Sequence, residues 1–283
     1  MKKIREVARV FPSKLTLEGA GVRLKRAIGF SEVPQFDPFL LLDDIHSGDP
    51  ADYVAGFPWH PHRGIETVTY MIEGIVEHGD SMGNKGAIRS GDVQWMTAGS
   101  GIVHQEMPQP KEGNFRGLQL WVNLPKSHKM MRPRYRGIEA DQIPELRLPN
   151  GTAVKVIAGQ YSGEEGPVKD IIRSPEYFDV AIPEGGDFSH RVPHDHTAFV
   201  YVLAGEGSLG PSPGTPLVSE TVVLLGPGED IMARAGARGL RFLLISGEPL
   251  AEPVAWRGPI VMNTEEELDL AFHEYRTGNF IKG

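Results

Sequence analysis

The sequence predicts an all-β protein built from two tandem barrels, with one short helix at the C-terminus. Three observations carry this. The 283 residues include 34 Gly and 23 Pro, which cut the chain into short segments. Several of those segments are rich in β-branched and aromatic residues, the content of strands. The second half also repeats the first: residues 194–207 echo residues 60–74, and residues 225–232 echo residues 90–96. The expected division is 1–138 for an N-terminal barrel and 139–283 for a C-terminal barrel that ends in the helix.

Taken in order, residues 39–42 form a short buried strand or turn, stopped by Asp43-Asp44. Residues 66–72 have strand composition and close on Glu73-Gly74, and residues 78–84 read as a hairpin connection. Ser90-Gly-Asp92 turns the chain into a strand over 93–97. Residues 117–124 alternate as a half-buried strand does. The basic stretch Lys126 to Arg136 lacks strand character, and Pro144 with Pro149-Asn-Gly151 marks a linker and turn. Near the end, Thr264 with Glu267 forms a capping box, and Leu268, Ala271, Phe272 and Tyr275 share one helical face.

Composition narrows the function. A net charge of −8 and a pI near 5.7 argue against a non-specific nucleic-acid binder, which needs a basic face. No cysteine is present, so disulfides and thiolate ligands are excluded, which fits a cytoplasmic protein. No signal-peptide pattern or membrane span is expected.

The chemistry centres on residues 57–107. His60 and His62 stand at i, i+2, as do His104 and Glu106. On a strand, residues two apart point to one face, so each pair aims two donor atoms at one point. Two such pairs on neighbouring strands converge on three imidazoles and one carboxylate, a first-row metal site with room for water or substrate.

An HxH pair, a Glu four residues on, a Gly closing the strand and a later Gly-Asp turn leading to a His resemble the cupin double-stranded β-helix. Residues 37–44, 57–68, 91–108 and 118–124, with 247–250 and 258–264 near the C-terminus, narrow the resemblance to the pirin family. It implies two cupin barrels and one iron in the N-terminal barrel, held by His60, His62, His104 and Glu106. It also implies a quercetin 2,3-dioxygenase activity and, as in animal pirins, a regulatory protein partner. The metal is Fe(II) by this resemblance alone; manganese, nickel, cobalt or copper would suit the same donors, and the affinity order favours copper.

The ligand set leaves two positions of a six-coordinate ion for a small planar enolisable substrate and O2, with Glu106 as catalytic base and ring opening releasing carbon monoxide. Phe57, Trp59, Trp95 and Met96 are expected as apolar walls. Glu66 sits where many cupins place a carboxylate ligand. Here it is expected to face inward and orient a ligand, or to be a buried carboxylate paired with Arg63 or another base. His78 is expected on an exposed turn. In the second copy, His194 and His196 keep the HxH spacing, but Val200 replaces the Glu and no downstream His follows. That barrel is expected to be structural, with at most a vestigial site. The alternatives are a non-catalytic, iron-dependent redox-sensing regulator, and another cupin enzyme such as an isomerase.

Overall fold

The protein, a computed structural model that describes residues 3–33, 35–173 and 175–282, is almost entirely antiparallel sheet. It divides into two compact units. One comprises Lys14–Val33, Phe39–Ala140 and Leu250–Gly283; the other comprises Met1–Ser13, Pro34–Pro38 and Asp141–Pro249.

The unit that carries the HxH-and-HxE residues has a seven-stranded sheet. Its order is Arg134–Ile138, Val93–Thr97, Ile65–Glu73, Phe115–Asn123, Phe39–Ser47, Val22–Ile28 and Lys14–Glu18. A four-stranded sheet runs Phe57–His62, Ile102–Pro108, Ile75–Asp80 and Lys85–Arg89. The expected strands recur with small shifts of their ends. Two expectations fail. Asp43 and Asp44 do not stop their strand, which continues to Ser47, because Arg26 and Arg116 pair with them at 2.7 and 2.6 Å. The basic stretch ends in a short strand, Arg134–Ile138, laid along Val93–Thr97.

The other unit folds one nine-stranded sheet around an apolar core. Its long strands, Thr197–Leu209 and Asp230–Gly247, break register in two places along their pairing. Such bulges bend strands, which lets one strand serve more than one part of a closed sheet.

The termini do not respect a cut at 138/139. The strand Val7–Pro12 pairs with Thr221–Leu225 and so belongs with the second half. The helix Glu265–Arg276, expected to end the C-terminal barrel, belongs with the first. Its capping box forms as expected, and Leu268 and Ala271 pack on Ala255, Ile260, Met262 and Phe280. Tyr275 is partly exposed, yet its ring meets that of Phe280 edge-on at 5.4 Å and so borders the same cluster. Both exchanges rest on contacts distant in sequence: the pairing of Val7–Pro12 and, for the helix, Val103 packed on its cluster and Arg63 bonded to Glu274. Among the described residues, no helix is long and apolar enough to cross a membrane.

Candidate metal centre

The strands Phe57–His62 and Ile102–Pro108 run antiparallel with His60 opposite His104. The register slips between His104 and Glu106, where Phe57 rather than Pro58 becomes the partner, so one extra residue bulges beside the site. The ligand-type atoms of His60, His62 and His104 all lie within 4.8 Å of one another. Among the described residues, this is the one group of three or more such side chains.

Hydrogen bonds set the direction of the lone pairs. His60 Nδ1 lies 2.8 Å from the carbonyl of Pro58, and His62 Nδ1 lies 2.9 Å from that of Pro259. A carbonyl only accepts, so each Nδ1 carries the proton and each Nε2 carries the lone pair. The two Nε2 atoms are 3.1 Å apart. Two lone pairs at that distance repel unless a cation lies between them. Nitrogens each about 2.1 Å from one ion and at right angles would stand about 3.0 Å apart. His104 is fully buried, and neither of its ring nitrogens has a hydrogen-bond partner. Burial, reinforced by neighbouring imidazoles, holds His62 and His104 well below the usual histidine range, and burial lowers His60 as well. All three are therefore neutral at pH 7, the form that binds metal. The donor set fits a divalent cation.

Glu106 stands apart from the three imidazoles. Its Oε1 accepts from Thr69 Oγ1 at 2.7 Å and its Oε2 from Gln119 Nε2 at 2.8 Å. Burial pushes its pKa up, and those two donors pull it back down. The carboxylate borders the same cavity as His60 and His62. That cavity measures about 600 Å³, within the range of small-molecule sites, and its walls are mainly apolar.

The expected walls are only partly those observed. Phe57 lines the cavity, but Trp59 is exposed and Trp95 and Met96 lie elsewhere. Cross-strand pairs share a face, and Val68 and Glu66 pair with Trp95 and Thr97, whereas Thr69, which lines the cavity, pairs with Gln94. Trp95 and Glu66 therefore sit on the opposite face of the sheet. Met96 packs into the core beside Trp121. The aromatic walls are instead Trp121, edge-on to His62 at 5.0 Å, with Trp256 and Phe30 beyond it. Alternation over 117–124 puts Gln119 and Trp121 on one face, a signal present in the sequence.

Three further expectations are corrected. Glu66 turns away from the site and accepts from Thr97 Oγ1 at 2.6 Å. Arg63 does not pair with it. Arg63 is buried and donates to Ser100 O, Glu274 and Phe280 O at 2.7, 2.7 and 2.8 Å, with its guanidinium 4.2 Å from the Phe280 ring centre. His78 is buried on the strand Ile75–Asp80, opposite Glu106. Its ring lies 5.5 Å from that of His104, and its Nε2 is 3.4 Å from Asp80. The turn starts only after Asp80, whose Oδ1 accepts from the backbone N–H of Met82 and Asn84 and so holds that turn closed.

Two residues after His62, Gly64 O accepts at 2.9 Å from the buried Lys129 ammonium, which also donates to Asn123 Oδ1 and Val261 O at 2.6 and 2.9 Å. Burial lowers its pKa to about 7. Gly64 has φ +78°, and a Cβ there would fall 1.9 Å from Val261 O, so only glycine lets these backbones meet.

In the other unit, His194 lies on a turn and is exposed, while His196 is half-buried. Val200 is fully buried in an apolar core with Phe178, Phe242 and Leu244. The two histidines belong to no group of three or more ligating side chains among the described residues.

A family model described as Pirin matches residues 21–122, and one described as Pirin C-terminal cupin domain matches residues 177–281. A Pseudomonas aeruginosa protein, named provisionally as a quercetin 2,3-dioxygenase, is 42% identical over 98% of this chain and 99% of its own. A Caulobacter vibrioides pirin-like protein is 44% identical, with 98% and 99% covered. The crystal structure of quercetin 2,3-dioxygenase from Acinetobacter baumannii superposes with a TM-score of 0.90 at 34% identity, with 98% of each chain covered.

Proposed function

The chain belongs to the pirin family, and on that premise we propose that it is a metal-dependent dioxygenase of the quercetin 2,3-dioxygenase type. It would open a flavonol ring oxidatively and release carbon monoxide. The observation that carries the reading is the set of three neutral imidazoles gathered where His60 and His62 border a mainly apolar cavity of about 600 Å³. His60, His62 and His104 are the residues to hold one divalent ion per chain, Fe(II) by family, with Glu106 available as a fourth donor. When bound, such an ion supplies Lewis acidity to an enol oxygen and an electron-transfer path to O2.

The remaining steps belong to the chain's own residues. The Pro58 and Pro259 carbonyls keep the His60 and His62 lone pairs aimed together. Glu106, held by Thr69 and Gln119 on the wall of the same cavity, takes the proton from the substrate's enolic hydroxyl at a carboxylate oxygen. Its raised pKa makes it a stronger base than an exposed glutamate. Phe57, Trp121 and Trp256 give a planar ligand apolar faces and exclude water. We assign the activity to the cytoplasm, with which a cysteine-free chain is compatible.

One observation favours the regulatory alternative. The strand bearing the imidazoles is tied through Arg63 to Glu274 on the C-terminal helix, where Leu270 and Tyr275 are exposed. A change at the metal would have a path to a surface that a partner protein can touch. The deciding experiment loads metal-free protein with Fe(II) under nitrogen, adds quercetin and admits O2. Uptake of O2 with equimolar carbon monoxide is expected. Metal-replete protein that consumes no O2 would end the enzymatic reading.

A further inference from the structure

The cavity has a second polar end. On the seven-stranded sheet, directly opposed residues form a row: Gln94 with Thr69, Thr69 with Gln119, Gln119 with Asp43, and Asp43 with Arg26. Opposed residues share a face, and Thr69, Gln119, Asp43 and Arg26 all line the cavity. A polar belt therefore crosses its floor. It starts at the Glu106 carboxylate, which Thr69 and Gln119 hold, and ends one strand beyond Gln119, at Asp43. Neighbouring strands are about 5 Å apart, the scale of a single aromatic ring.

The far end of the belt accepts hydrogen bonds, and among the described residues that line it no cation is left unpaired. Asp43 is 5% exposed, and it receives Arg26 through Nε at 2.9 Å and Nη2 at 2.7 Å. The remaining Nη1 of Arg26 is bonded to Glu18 at 2.8 Å. The guanidinium is spent on carboxylates. Each Asp43 oxygen accepts one hydrogen bond from Arg26 and keeps a second lone pair. Among the described residues that line the cavity, the charged groups are then Glu18, Asp43 and Glu106 against Arg26.

We infer that Asp43, positioned by Arg26, is a specificity-determining residue that accepts a hydrogen bond from a phenolic hydroxyl remote from the enol. The substrate class is then an uncharged, planar, polyhydroxylated aromatic enol. This rests on the dioxygenase reading for which end of the ligand meets the imidazoles. Excess carboxylate repels an acid at the remote end. The apolar walls accept the ring faces, and a ligand lacking the remote hydroxyl leaves the lone pairs of Asp43 that Arg26 does not use desolvated and without a donor.

The test measures binding rather than turnover. Metal-loaded protein is titrated without O2, and quenching of tryptophan fluorescence is followed, since Trp121 and Trp256 border the cavity. The probes are quercetin, 3-hydroxyflavone, which keeps only the enol, and a quercetin sulfated on the remote ring. A hydrogen bond to a charged group corresponds to a preference of about 10–100-fold for quercetin over 3-hydroxyflavone. The sulfated ligand should bind more weakly than 3-hydroxyflavone. Asp43→Asn should bring quercetin and 3-hydroxyflavone close together; the comparison of ligands on the unaltered protein stands even if that variant fails to fold. Equal binding of quercetin and 3-hydroxyflavone by the unaltered protein would overturn the role of Asp43 and leave the dioxygenase reading intact. Binding of neither flavonol would overturn both. A sulfated ligand that bound as tightly as quercetin would overturn the charge argument.

Discussion

The ring of His62 donates from Nδ1 to the carbonyl oxygen of Pro259, 2.9 Å away and 197 residues along the chain. The C-terminal segment therefore completes the candidate metal centre. Ile260 bridges to Arg63, the residue after His62, and Val261 O shares the Lys129 ammonium with Gly64 O. Partners that orient a ligating histidine typically contribute 10–100-fold to metal affinity.

Arg63 is the clamp that keeps this segment in place, so Arg63→Met should loosen it. The change strands Ser100 O and Phe280 O without their donor, at about 1–3 kcal/mol for each buried acceptor. A lower unfolding midpoint in urea is expected, together with metal affinity weakened by about 10–100-fold in competition with a chelating dye. A variant that melts earlier but binds metal as before would show that the clamp serves stability alone.

The His60/His62 pair is legible because strand alternation alone turns both imidazoles to one side; of the second pair, His104 joins them while Glu106 is held by Thr69 and Gln119 instead. The capping box at Thr264 was legible because it is written in four consecutive residues. What failed was whatever depends on a distant strand. Glu66 faces away because its strand presents Thr69 to the cavity, and an odd spacing separates the two. His78 looked like a turn residue from the Gly-Asp after it, yet its strand runs on to Asp80. The exchange of termini rests on the pairing of Val7–Pro12 with Thr221–Leu225, for which no local pattern exists.

Stoichiometry distinguishes the two barrels. One tight divalent ion per chain is expected, removed by His104→Ala and retained when His194 and His196 are both changed to Ala. Elemental analysis of protein purified without a chelating tag reads this directly. Two ions of equal affinity per chain would contradict the apolar packing around Val200.

Lys129 gives the protein a pH dependence of definite sign. Its folded pKa is about 7, against about 10.4 for a lysine in the unfolded chain. Between those values the unfolded chain binds the extra proton, so this group makes stability rise with pH, by at most about 1.4 kcal/mol per unit. Lys129→Met removes the titration, although it costs stability throughout by stranding three acceptors. Urea titrations at pH 7, 8 and 9 should show the gap between parent and variant widening as pH rises. Parallel curves would mean that Lys129 stays charged across the range.

Under the dioxygenase reading, Glu106 is the proposed base for the substrate's enolic proton. As found, its two oxygens are occupied by Thr69 and Gln119 rather than gathered with the imidazoles. Glu106→Gln keeps the shape, and Gln119 can turn its amide to offer oxygen to the new NH2 group. The three histidines are untouched, so the variant should hold its metal. It cannot accept the proton, so turnover of quercetin should fall by about 10²–10⁴-fold, the usual contribution of a general base. Metal content has to be measured on the same sample, because loss of the ion mimics loss of the base. Metal-replete variant protein that turned over at the parent rate would reduce Glu106 to an orienting or ligating group. Glu66 could not replace it, since it lies on the other face of the sheet against Thr97. The next base to test would be His78, which sits opposite Glu106 on the neighbouring strand and is buried beside Asp80.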